Sequence, residues 1–489
     1  MTALIPNRTL QTFLILFLAV LVFLGRQLDV GLSNYDDAYY AQKAKEMLTA
    51  ESLWTPTFYH EPAFDNPPLP FWLTALAYKV FGVSGYAAAF FPALFGAGIM
   101  VLTYRMALYL YRDDWIALAS VFVLLFPGLF VDSARRAMVD IPLAFFVTAA
   151  MFCFARAWEN KKYYLLFGLA TAGGVLTKSL LGFFPLVVGA AFCLLARKWK
   201  DVSYLVSGYA LALVLGSSWY GINWMKYGDD FLQFHFGYII MGRGFSESGS
   251  RFYFLGYAKD FLRNYWPWLP IAVAGLAASV RKGFRERDEN ALLLFLWVIV
   301  ILAVMSVSKT QTLRYILMIF PALAIITAKT LAGWLTDRAR ERCLPYMMGI
   351  VLFLVLFVNV TPLQVKVTLG QNSRDVRQLA DVINLNTPEG EKVGNYRLSQ
   401  WNPRNSLLFY ADRLIGDPVT QSGQLIEQME RRPEDTWLTA LGAFRELEQL
   451  YPGKFYLIQA NGDYVYFTSA SGRERVRYDF SGRRIPSVR

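Results

Sequence analysis

Residues 34–72 read NYDDAYYAQKAKEMLTAESLWTPTFYHEPAFDNPPLPFW and follow the first long apolar segment of the chain. The stretch begins with two adjacent carboxylates, Asp36 and Asp37, and later places a third acid, Asp65, before a rigid corner made of Asn66 and two prolines. Acids held in a loop beside a membrane-spanning segment indicate chemistry at the membrane surface.

Composition decides which solvent the chain folds in. Of 489 residues, 55% are hydrophobic and only 17% are charged, which exceeds the apolar content of ordinary soluble domains. The sequence therefore predicts a polytopic α-helical membrane protein. The three cysteines, Cys153, Cys193 and Cys343, lie in or beside apolar segments without metal-ligand spacing, so we interpret them as core residues.

Eleven apolar runs are long enough to cross, or nearly cross, a bilayer, which needs about 20 helical residues. The first run lacks a cleavage site and is interpreted as a retained helix. The runs lie near 10–25, 87–111, 115–131, 141–157, 163–177, 180–196, 202–219, 265–280, 291–307, 313–330 and 344–361.

Basic residues in the short loops set the predicted orientation, because such residues are enriched on the cytoplasmic side. Basic clusters at 156–162, 197–200, 281–287 and 338–342 fall on one side, together with Arg112. This pattern predicts a cytoplasmic N-terminus. It also predicts outer loops at 34–86, 132–140, 221–264 and 308–312, and an outer C-terminus.

The composition changes near residue 362, where charges and turn residues become frequent. We predict a membrane domain over 1–361 and a small C-terminal periplasmic α/β domain over 362–489. Within it, Ser373 to Leu385 is predicted as a helix, and Lys454 to Gln459 and Tyr464 to Ser469 as paired strands.

Basic side chains also occur at the predicted outer ends of several spans, against the charge rule. Because an ionisable group at a span end is costly unless it is paired or functional, a cluster drawn from five loops predicts an anion site. A lipid phosphate is the ligand that such a site suits. The cluster comprises Arg135, Arg136, Lys178, Arg243, Arg251, Arg263, Lys309 and Arg314.

Simpler interpretations stand beside these. A single Arg at a span end often contacts only lipid headgroups, and we keep that interpretation for Arg251 and Arg263. Asp140 precedes Ile141-Pro142 at a helix start, where capping and catalysis are equally expected. Asp36 and Asp37 could likewise serve as caps of a helix over Ala38 to Leu48. Two adjacent acids can also divide the roles, so that one caps the helix and the other faces a cavity.

A divalent metal at Asp65 and His235 is a further alternative, although no spacing motif supports it. His60 is the second histidine of the chain and also lies in a predicted outer loop.

The order of several outer-face motifs resembles the membrane glycosyltransferases of the GT-C class. The motifs are DDAYYAQKAKEM (36–47), NPPLPFWL (66–73), RRAMVDIPLAFF (135–146), LTKSLLGFFP (176–185), FLQFHFGYIIMGRGF (231–245), RNYWPWLP (263–270) and SKTQTLRYILMIFPALAI (308–325). The likeness covers residues 34–324 and is greatest for the branch of aminoarabinose lipid A transferases and bacterial relatives of protein O-mannosyltransferases.

The resemblance implies roles for particular residues. Asp36 would be the leading catalytic carboxylate and Asp140 the second acid, with Asp37, Tyr39, Asp65 and Asn66 also in the active site. The donor's phosphate would contact Lys178, Arg243, Arg135, Lys309, Arg314 and Tyr315. The chain departs from the family at Asn66, where Lys is usual, and at Ile239-Ile240, where Glu-His is frequent.

The expected activity is transfer of a sugar from a polyprenyl phosphate, such as undecaprenyl phosphate, to a cell-envelope acceptor at the periplasmic face of the bacterial inner membrane. The acceptor would be lipid A or another envelope glycolipid or glycan, with a protein as the alternative. The partners expected are the lipid-linked donor, this acceptor and membrane lipids, and not nucleic acid. The rival from another class is a transporter or flippase, but such proteins usually carry internal repeats and charges near the bilayer midplane.

Overall fold

The computed structural model describes residues 7–25, 31–32, 36–242, 254–308, 312–360, 373–398 and 404–477. The chain divides into two compact units. Unit 1 comprises Met1–Leu28, Met47–Thr57 and Pro62–Val367, and unit 2 comprises Asp29–Glu46, Phe58–Glu61 and Thr368–Arg489.

Helices dominate the chain up to residue 360. In order they are α1 (Arg8–Leu24), α2 (Asp36–Glu46), α3 (Leu69–Phe81), α4 (Gly85–Tyr111), α5 (Asp114–Leu125), α6 (Gly128–Ala134), α7 (Asp140–Arg156), α8 (Tyr163–Lys178), α9 (Phe184–Leu195), α10 (Val202–Gly216), α11 (Ser218–Leu232), α12 (Phe254–Asn264), α13 (Leu269–Arg285), α14 (Glu289–Val307), α15 (Phe320–Trp334) and α16 (Asp337–Val360). Short 3-10 segments lie at Ser179–Phe183, Trp199–Asp201 and Leu313–Ile319, and a π-helical segment lies at Gln233–Gly242.

Every apolar run predicted from the sequence coincides with helix, because an apolar environment requires each backbone N–H and C=O to bond within its own segment. In the described ranges, five helical stretches are long and apolar enough to cross a membrane, and α5 with α6 makes a sixth, bent by 77°. The five are Gly85–Tyr111, Tyr163–Leu195, Trp199–Gly242, Glu289–Val307 and Leu313–Trp334.

The prediction of a multi-pass helical membrane protein is therefore confirmed, whereas the count of eleven spans is not. Several of the predicted runs form helices shorter than the roughly 20 residues that a straight crossing needs. Examples are α7, with 17 residues, and α9, with 12.

The chain folds back at the end of α8. Ser179 has a φ of 53° and a ψ of −136°, which interrupts the helix directly after Lys178. Gly182 then packs so closely on α8 that a Cβ atom there would lie 2.2 Å from the carbonyl carbon of Gly174. Only glycine fits this approach. The fold-back separates the apolar runs on either side of Lys178 and leaves its side chain at a helix end.

Two stretches predicted as outer loops contain helices, in keeping with the juxtamembrane helices predicted within the outer loops. Residues 221–264 include most of α11, the π-helical segment and α12, and residues 34–86 include the apolar helix α3. The physical reason in the first case is apolar burial, since Trp219 and Phe231 form a small buried cluster with Phe64.

Unit 2 contains α2 and an α/β fold at the end of the chain. Its later elements are α17 (Ser373–Asn386), β3 (Val393–Tyr396), α18 (Arg404–Ala411), β4 (Ile415–Val419), α19 (Ser422–Arg431), β5 (Trp437–Ala440), α20 (Leu441–Leu450), β6 (Phe455–Asn461) and β7 (Tyr464–Ser469). They follow the short strands β1 (Thr57–Phe58) and β2 (Glu61–Pro62), which pair with each other.

The five later strands form one sheet in the order β4-β3-β5-β7-β6. Strand β3 pairs in parallel with β4 and β5, whereas β7 pairs antiparallel with β5 and β6. Alternation along the strands divides the core, because successive side chains point to opposite faces. Leu438 and Tyr466 bury against α17 and α18, and Trp437 buries against α19 and α20. Strands β6 and β7 and helix α17 coincide with the elements predicted from the sequence.

Candidate active site

Lys178 and Asp140 form a buried ion pair in unit 1. The Nζ atom of Lys178 lies 2.5 Å from Oδ1 of Asp140, and only 13% of the lysine side chain and 3% of the aspartate side chain are exposed. Asp140 begins α7 and Lys178 ends α8, so the two helices bring their oppositely charged ends together. The residue that caps α7 is Val139, which supplies no side-chain bond. The Asp140 carboxylate thus pairs with the lysine, which favours a role beyond helix capping.

Tyr315 completes this group from a third element. Its ring centroid lies 4.3 Å from Nζ of Lys178, a distance at which an aromatic face attracts a cation. Tyr315 belongs to the 3-10 segment Leu313–Ile319. One ammonium is therefore held between a carboxylate and an aromatic ring, and residues from three separate predicted motifs meet at it.

A hydrogen-bonded chain supports the turn that follows Lys178. The Oγ atom of Ser179 lies 2.5 Å from the hydroxyl of Tyr220 and 2.9 Å from Nε2 of His235, and Nδ1 of His235 lies 2.6 Å from the carbonyl oxygen of Phe64. A carbonyl oxygen can only accept, so Nδ1 carries the hydrogen and Nε2 accepts from Ser179. This chain ties the turn at Lys178 to the segment that leads into Asp65.

The hydrogen bonds of His235 and Asp65 show whether these two residues are arranged to bind a divalent metal. His235 is buried, and both ring nitrogens are engaged by protein partners. One carboxylate oxygen of Asp65 accepts a bond of 2.7 Å from the amide of Asn66. Within the described ranges, no three His, Cys, Asp or Glu side chains are arranged to hold a metal ion. Asp65 and His235 as placed do not fit a metal centre, and we derive no chemical step through one.

The predicted basic residues of the 135–140 turn have other partners. The guanidinium of Arg135 donates to the carbonyl oxygens of Val22 and, at 2.8 Å, of Gly25, which are orphan acceptors at the C-terminal end of α1. Arg136 pairs with Asp132 at 3.1 Å. Arg135 therefore connects the C-terminal end of α1 to this turn.

Arg314 contacts the segment that precedes Asp140. Its Nη1 atom is 3.7 Å from the sulfur of Met138, and it directly precedes Tyr315. Arg243 and Lys309, which were also predicted to contact the donor's phosphate, lie outside the described residues.

Asp36, Asp37 and Tyr39 belong to unit 2, on helix α2. Both acids lie in the first helical turn, where a negative charge complements the helix dipole. Asp37 is 2% exposed and accepts a bond of 3.0 Å from the backbone N–H of Ala38, whereas Asp36 is half-buried. Asp36 is thus the more exposed of the two acids, and the division in which one acid caps the helix and the other faces a cavity stays a prediction.

Sequence reasoning missed Tyr220 and Lys43. Tyr220 falls between the predicted span 202–219 and the predicted loop 221–264, and nothing in the sequence signalled its bond to Ser179. Lys43 is completely buried, with its ammonium 4.9 Å from the ring centroid of Tyr39. The spacing of four residues on one helix was the available signal, because it stacks side chains on the same face.

Residues 8–235 match the family model described as dolichyl-phosphate-mannose-protein mannosyltransferase. Asp36, Asp140, Lys178 and His235 fall within the matched range, whereas Tyr315 follows it.

This range covers 228 of the 489 residues, so the chain is similar to that family over slightly less than half of its length.

Relatives beyond the family model carry a related description. The chain is 27% identical over 310 residues to an undecaprenyl phosphate-alpha-4-amino-4-deoxy-L-arabinose arabinosyl transferase of Sodalis glossinidius. This alignment covers 60% of the chain and 54% of that transferase. The chain thus spans about half the length of this curated relative.

Two solved structures resemble the fold of this chain. ArnT from Cupriavidus metallidurans bound to undecaprenyl phosphate superposes with a TM-score of 0.75 at 19% identity, covering 94% of this chain and 98% of ArnT. The Archaeoglobus fulgidus oligosaccharyltransferase in complex with zinc and sulfate superposes with a TM-score of 0.58 at 14% identity, covering 92% of this chain and 72% of the other. At these identities the likeness establishes the fold alone.

Proposed function

We propose that this chain is a glycosyltransferase that moves a sugar from a polyprenyl phosphate to a cell-envelope acceptor. The proposed acceptor is lipid A or another envelope glycolipid, and the name of the undecaprenyl phosphate aminoarabinose transferase relative supports the class of donor. The domain match, the fold likeness and the buried charge cluster support the same proposal from independent directions.

The observation that carries the proposal is the Lys178 ammonium, held at a helix end by Asp140 and Tyr315. An ammonium has three N–H donors, and the bond to Asp140 uses one of them. A lysine in this setting offers a compact positive charge to a phosphate oxygen. The bond to the Asp140 carboxylate orients the lysine side chain.

The chemistry follows from where charge develops. The bond between the sugar's anomeric carbon and the phosphate oxygen breaks, its electron pair stays on the phosphate, and an acceptor oxygen bonds to the carbon. Negative charge on the leaving phosphate therefore increases in the transition state, where Lys178 stabilises it more than in the ground state. A single displacement of this kind inverts the anomeric centre.

Asp36 is the proposed base for a hydroxyl acceptor, because a carboxylate can take the proton that the hydroxyl loses. An acceptor that is already an anionic phosphate needs little base catalysis. The half-buried position of Asp36 suits this role better than that of Asp37, which is almost completely buried.

The chain of Phe64, His235, Ser179 and Tyr220 has a supporting role in this proposal. Ser179 holds a left-handed backbone conformation, which is costly for a residue other than glycine and persists where surrounding contacts impose it. Two side-chain bonds to its hydroxyl do this. They fix the backbone direction of Lys178 and so the direction in which its ammonium points.

A protein O-glycosyltransferase is the second candidate, favoured by the description of the matching family model. The acceptor hydroxyl would then be that of a serine or threonine side chain, and the donor site would be unchanged. A flippase is less well supported, because its task does not require a carboxylate and an ammonium locked together at the ends of two packed helices.

The proposed location is the bacterial inner membrane, with the N-terminus in the cytoplasm and the active site and residues 362–489 in the periplasm. The loop charges described above support this orientation. Cysteine labelling in intact cells should modify single cysteines introduced at Gly390 and at Ala50 but not one at Arg285. Labelling at Arg285 alone would reverse the proposed orientation.

Mass spectrometry of lipid A, other envelope glycolipids and glycoproteins, from cells with and without the gene, tests the activity. The proposal expects one class to lose the mass of a single sugar when the gene is removed. A loss confined to glycoproteins would select the second candidate. Identical spectra in all classes, from cells that produce the protein, would contradict both.

A further inference from the structure

Helix α2 packs within unit 2, although more than 350 residues separate it from its main partner, α18. Ala38, Ala41 and Ala44 are completely buried along it. A spacing of three places these alanines on one helix face, and their small side chains allow a close approach to a neighbouring helix. The segment that carries Asp36 and Asp37 therefore belongs to the C-terminal unit.

Polar contacts fasten the C-terminal end of α2 to α18. The Nζ atom of Lys45 lies 2.7 Å from Oδ1 of Asp412 and 3.2 Å from the carbonyl oxygen of Phe409. Phe409 lies in the last turn of α18. The lysine thus binds both an acid and a carbonyl oxygen in the last turn of the helix, where a cation complements the dipole.

Glu46 makes a second set of contacts. Its Oε1 and Oε2 atoms accept the backbone N–H groups of Tyr59 and His60 at 3.0 and 3.1 Å. Tyr59 and His60 both have positive φ angles, of 60° and 63°. Consecutive N–H groups in such a conformation form an anion-binding concavity. The carboxylate of Glu46 fills it and stabilises a turn that few non-glycine pairs adopt.

Arg404 connects this turn to the sheet. Its Nε atom donates to the hydroxyl oxygen of Tyr59 at 2.6 Å, its guanidinium lies 4.3 Å from the Tyr59 ring centroid, and Nη2 reaches the carbonyl oxygen of Ile415 in β4 at 3.3 Å. Burial raises the pKa of Tyr59, although Arg404 opposes this shift. The phenol is therefore neutral near pH 7, and its oxygen acts as the acceptor.

We infer that the C-terminal unit positions the candidate acid Asp36, with Lys45, Glu46 and Arg404 as positioning residues. The inference rests on the proposed function only in taking Asp36 as the group that meets the acceptor. A helix transmits this constraint because it is stiff. Lys45 lies nine residues after Asp36, so anchors at one end fix a carboxylate about 14 Å away at the other.

A charge-swap experiment on full-length protein in detergent tests the inference. Lys45→Glu places two negative charges opposite each other, and Asp412→Lys places two positive charges opposite each other. The double variant restores an ion pair with the charges exchanged. Lys454→Glu is the matched control, because Lys454 pairs with Glu430 at 2.9 Å in the same unit without any residue of α2.

Three readouts are needed. Hydrogen exchange of the amides of 36–46 reports whether α2 is held, independently of activity. Steady-state kinetics with a polyprenyl-phosphate sugar measures whether fixing α2 affects turnover. Equilibrium binding of the same donor shows whether donor affinity changes. We expect each single swap to accelerate exchange in α2 and to lower kcat about tenfold or more with an unchanged donor Kd, since small misplacements of a reacting group are costly. The double variant should recover at least half of both losses, and Lys454→Glu should change neither.

Parental exchange in both single variants would show that the contacts do not hold α2. Accelerated exchange with parental kcat would show that holding α2 does not position a reacting group. Either result overturns the inference. If the parental protein transfers no sugar from any polyprenyl phosphate, the proposed function fails instead, and hydrogen exchange still decides whether unit 2 anchors the helix.

Discussion

The Nζ atom of Lys178 lies 2.5 Å from Oδ1 of Asp140, with both side chains largely withdrawn from solvent. Such a pair is weak support for stability, because desolvation of two charges offsets most of their attraction. The presence of this ion pair in a chain that is only 17% charged is better explained if the charge of the lysine serves binding or turnover.

Neutralising Lys178 should lower both donor affinity and turnover. Lys178→Gln removes a cation that meets developing charge, and we expect kcat/KM to fall by on the order of 2–4 kcal/mol, as for loss of one donor in an oxyanion site. Lys178→Arg should recover only part of this, because a planar guanidinium does not match a point contact. Steady-state kinetics and donor binding on purified protein measure both quantities.

The fall in kcat/KM of Lys178→Gln must be distinguished from a fall in the stability of the folded protein. Removing one partner of a buried pair costs about 3–5 kcal/mol, since the other charge is left unpaired. Asp140→Asn combined with Lys178→Gln removes both charges and should restore thermal stability without restoring turnover. Lys226→Gln is the matched control, because Lys226 is exposed and lies 5.1 Å from the ring centroid of Tyr227. Parental kinetics in Lys178→Gln would mean that the phosphate is held elsewhere.

The hydrogen-bonded chain at Ser179 gives a second prediction. His235→Asn keeps a donor near the Nδ1 position and loses the acceptor for Ser179, whereas His235→Gln keeps a polar group near Nε2 and loses the donor to Phe64. We expect both to lower kcat, and Ser179→Thr, which retains the hydroxyl, to be milder than Ser179→Ala. A buried group left without its partner costs about 1–3 kcal/mol.

Thermal unfolding and kinetics together identify the cause in these variants. A fall in kcat at matched temperature below unfolding supports the role of the chain in directing Lys178. Loss of stability in every variant with parental kcat would reduce the chain to a packing feature.

The two acids of α2 should differ. Asp36→Asn preserves size and removes the charge of the candidate base, so transfer to a hydroxyl acceptor should be abolished while donor binding persists. Asp37→Asn should cost about 1 kcal/mol of stability or less, because Asn also caps helices well. Turnover of purified Asp36→Asn at the parental rate would refute the assignment of Asp36.

Helix positions followed from the sequence, since apolar runs in lipid have few alternatives to helix. The crossings were harder to count, because the bend between α5 and α6 and the fold-back at Ser179 depend on packing contacts such as that between Gly182 and Gly174. Sequence spacing does not reveal such contacts.

The contacts within the candidate site also could not be predicted from the sequence alone. Lys178 and Asp140 were each singled out from the sequence, but their pairing depends on how α7 and α8 pack. His235 was considered as a metal ligand because it lies in a predicted outer loop, and its actual partners, the carbonyl oxygen of Phe64 and the hydroxyl of Ser179, carry no sequence signal. The attachment of α2 to the C-terminal unit joins two segments that are distant in sequence, through contacts such as that of Lys45 with Asp412, and the spacing of residues does not reveal such a pairing.

Chelation tests the remaining metal alternative. Because the described residues offer no three-ligand group of His, Cys, Asp or Glu, we expect dialysis against EDTA to leave the transfer rate of purified protein unchanged. A loss of activity that Mg²⁺, Mn²⁺ or Zn²⁺ restores would reveal a metal site not formed by Asp65 and His235 as they are placed here.

Single-turnover transfer by purified protein tests the central claim most directly. The parental protein would be mixed with a synthetic polyprenyl-phosphate sugar and extracted envelope glycolipid, and the lipids would be analysed by mass spectrometry. The proposed function predicts that free polyprenyl phosphate appears together with an acceptor heavier by one sugar residue, and that Lys178→Gln slows both signals equally. Donor that stays intact with every sugar and acceptor supplied, in a preparation that binds polyprenyl phosphate, would contradict it.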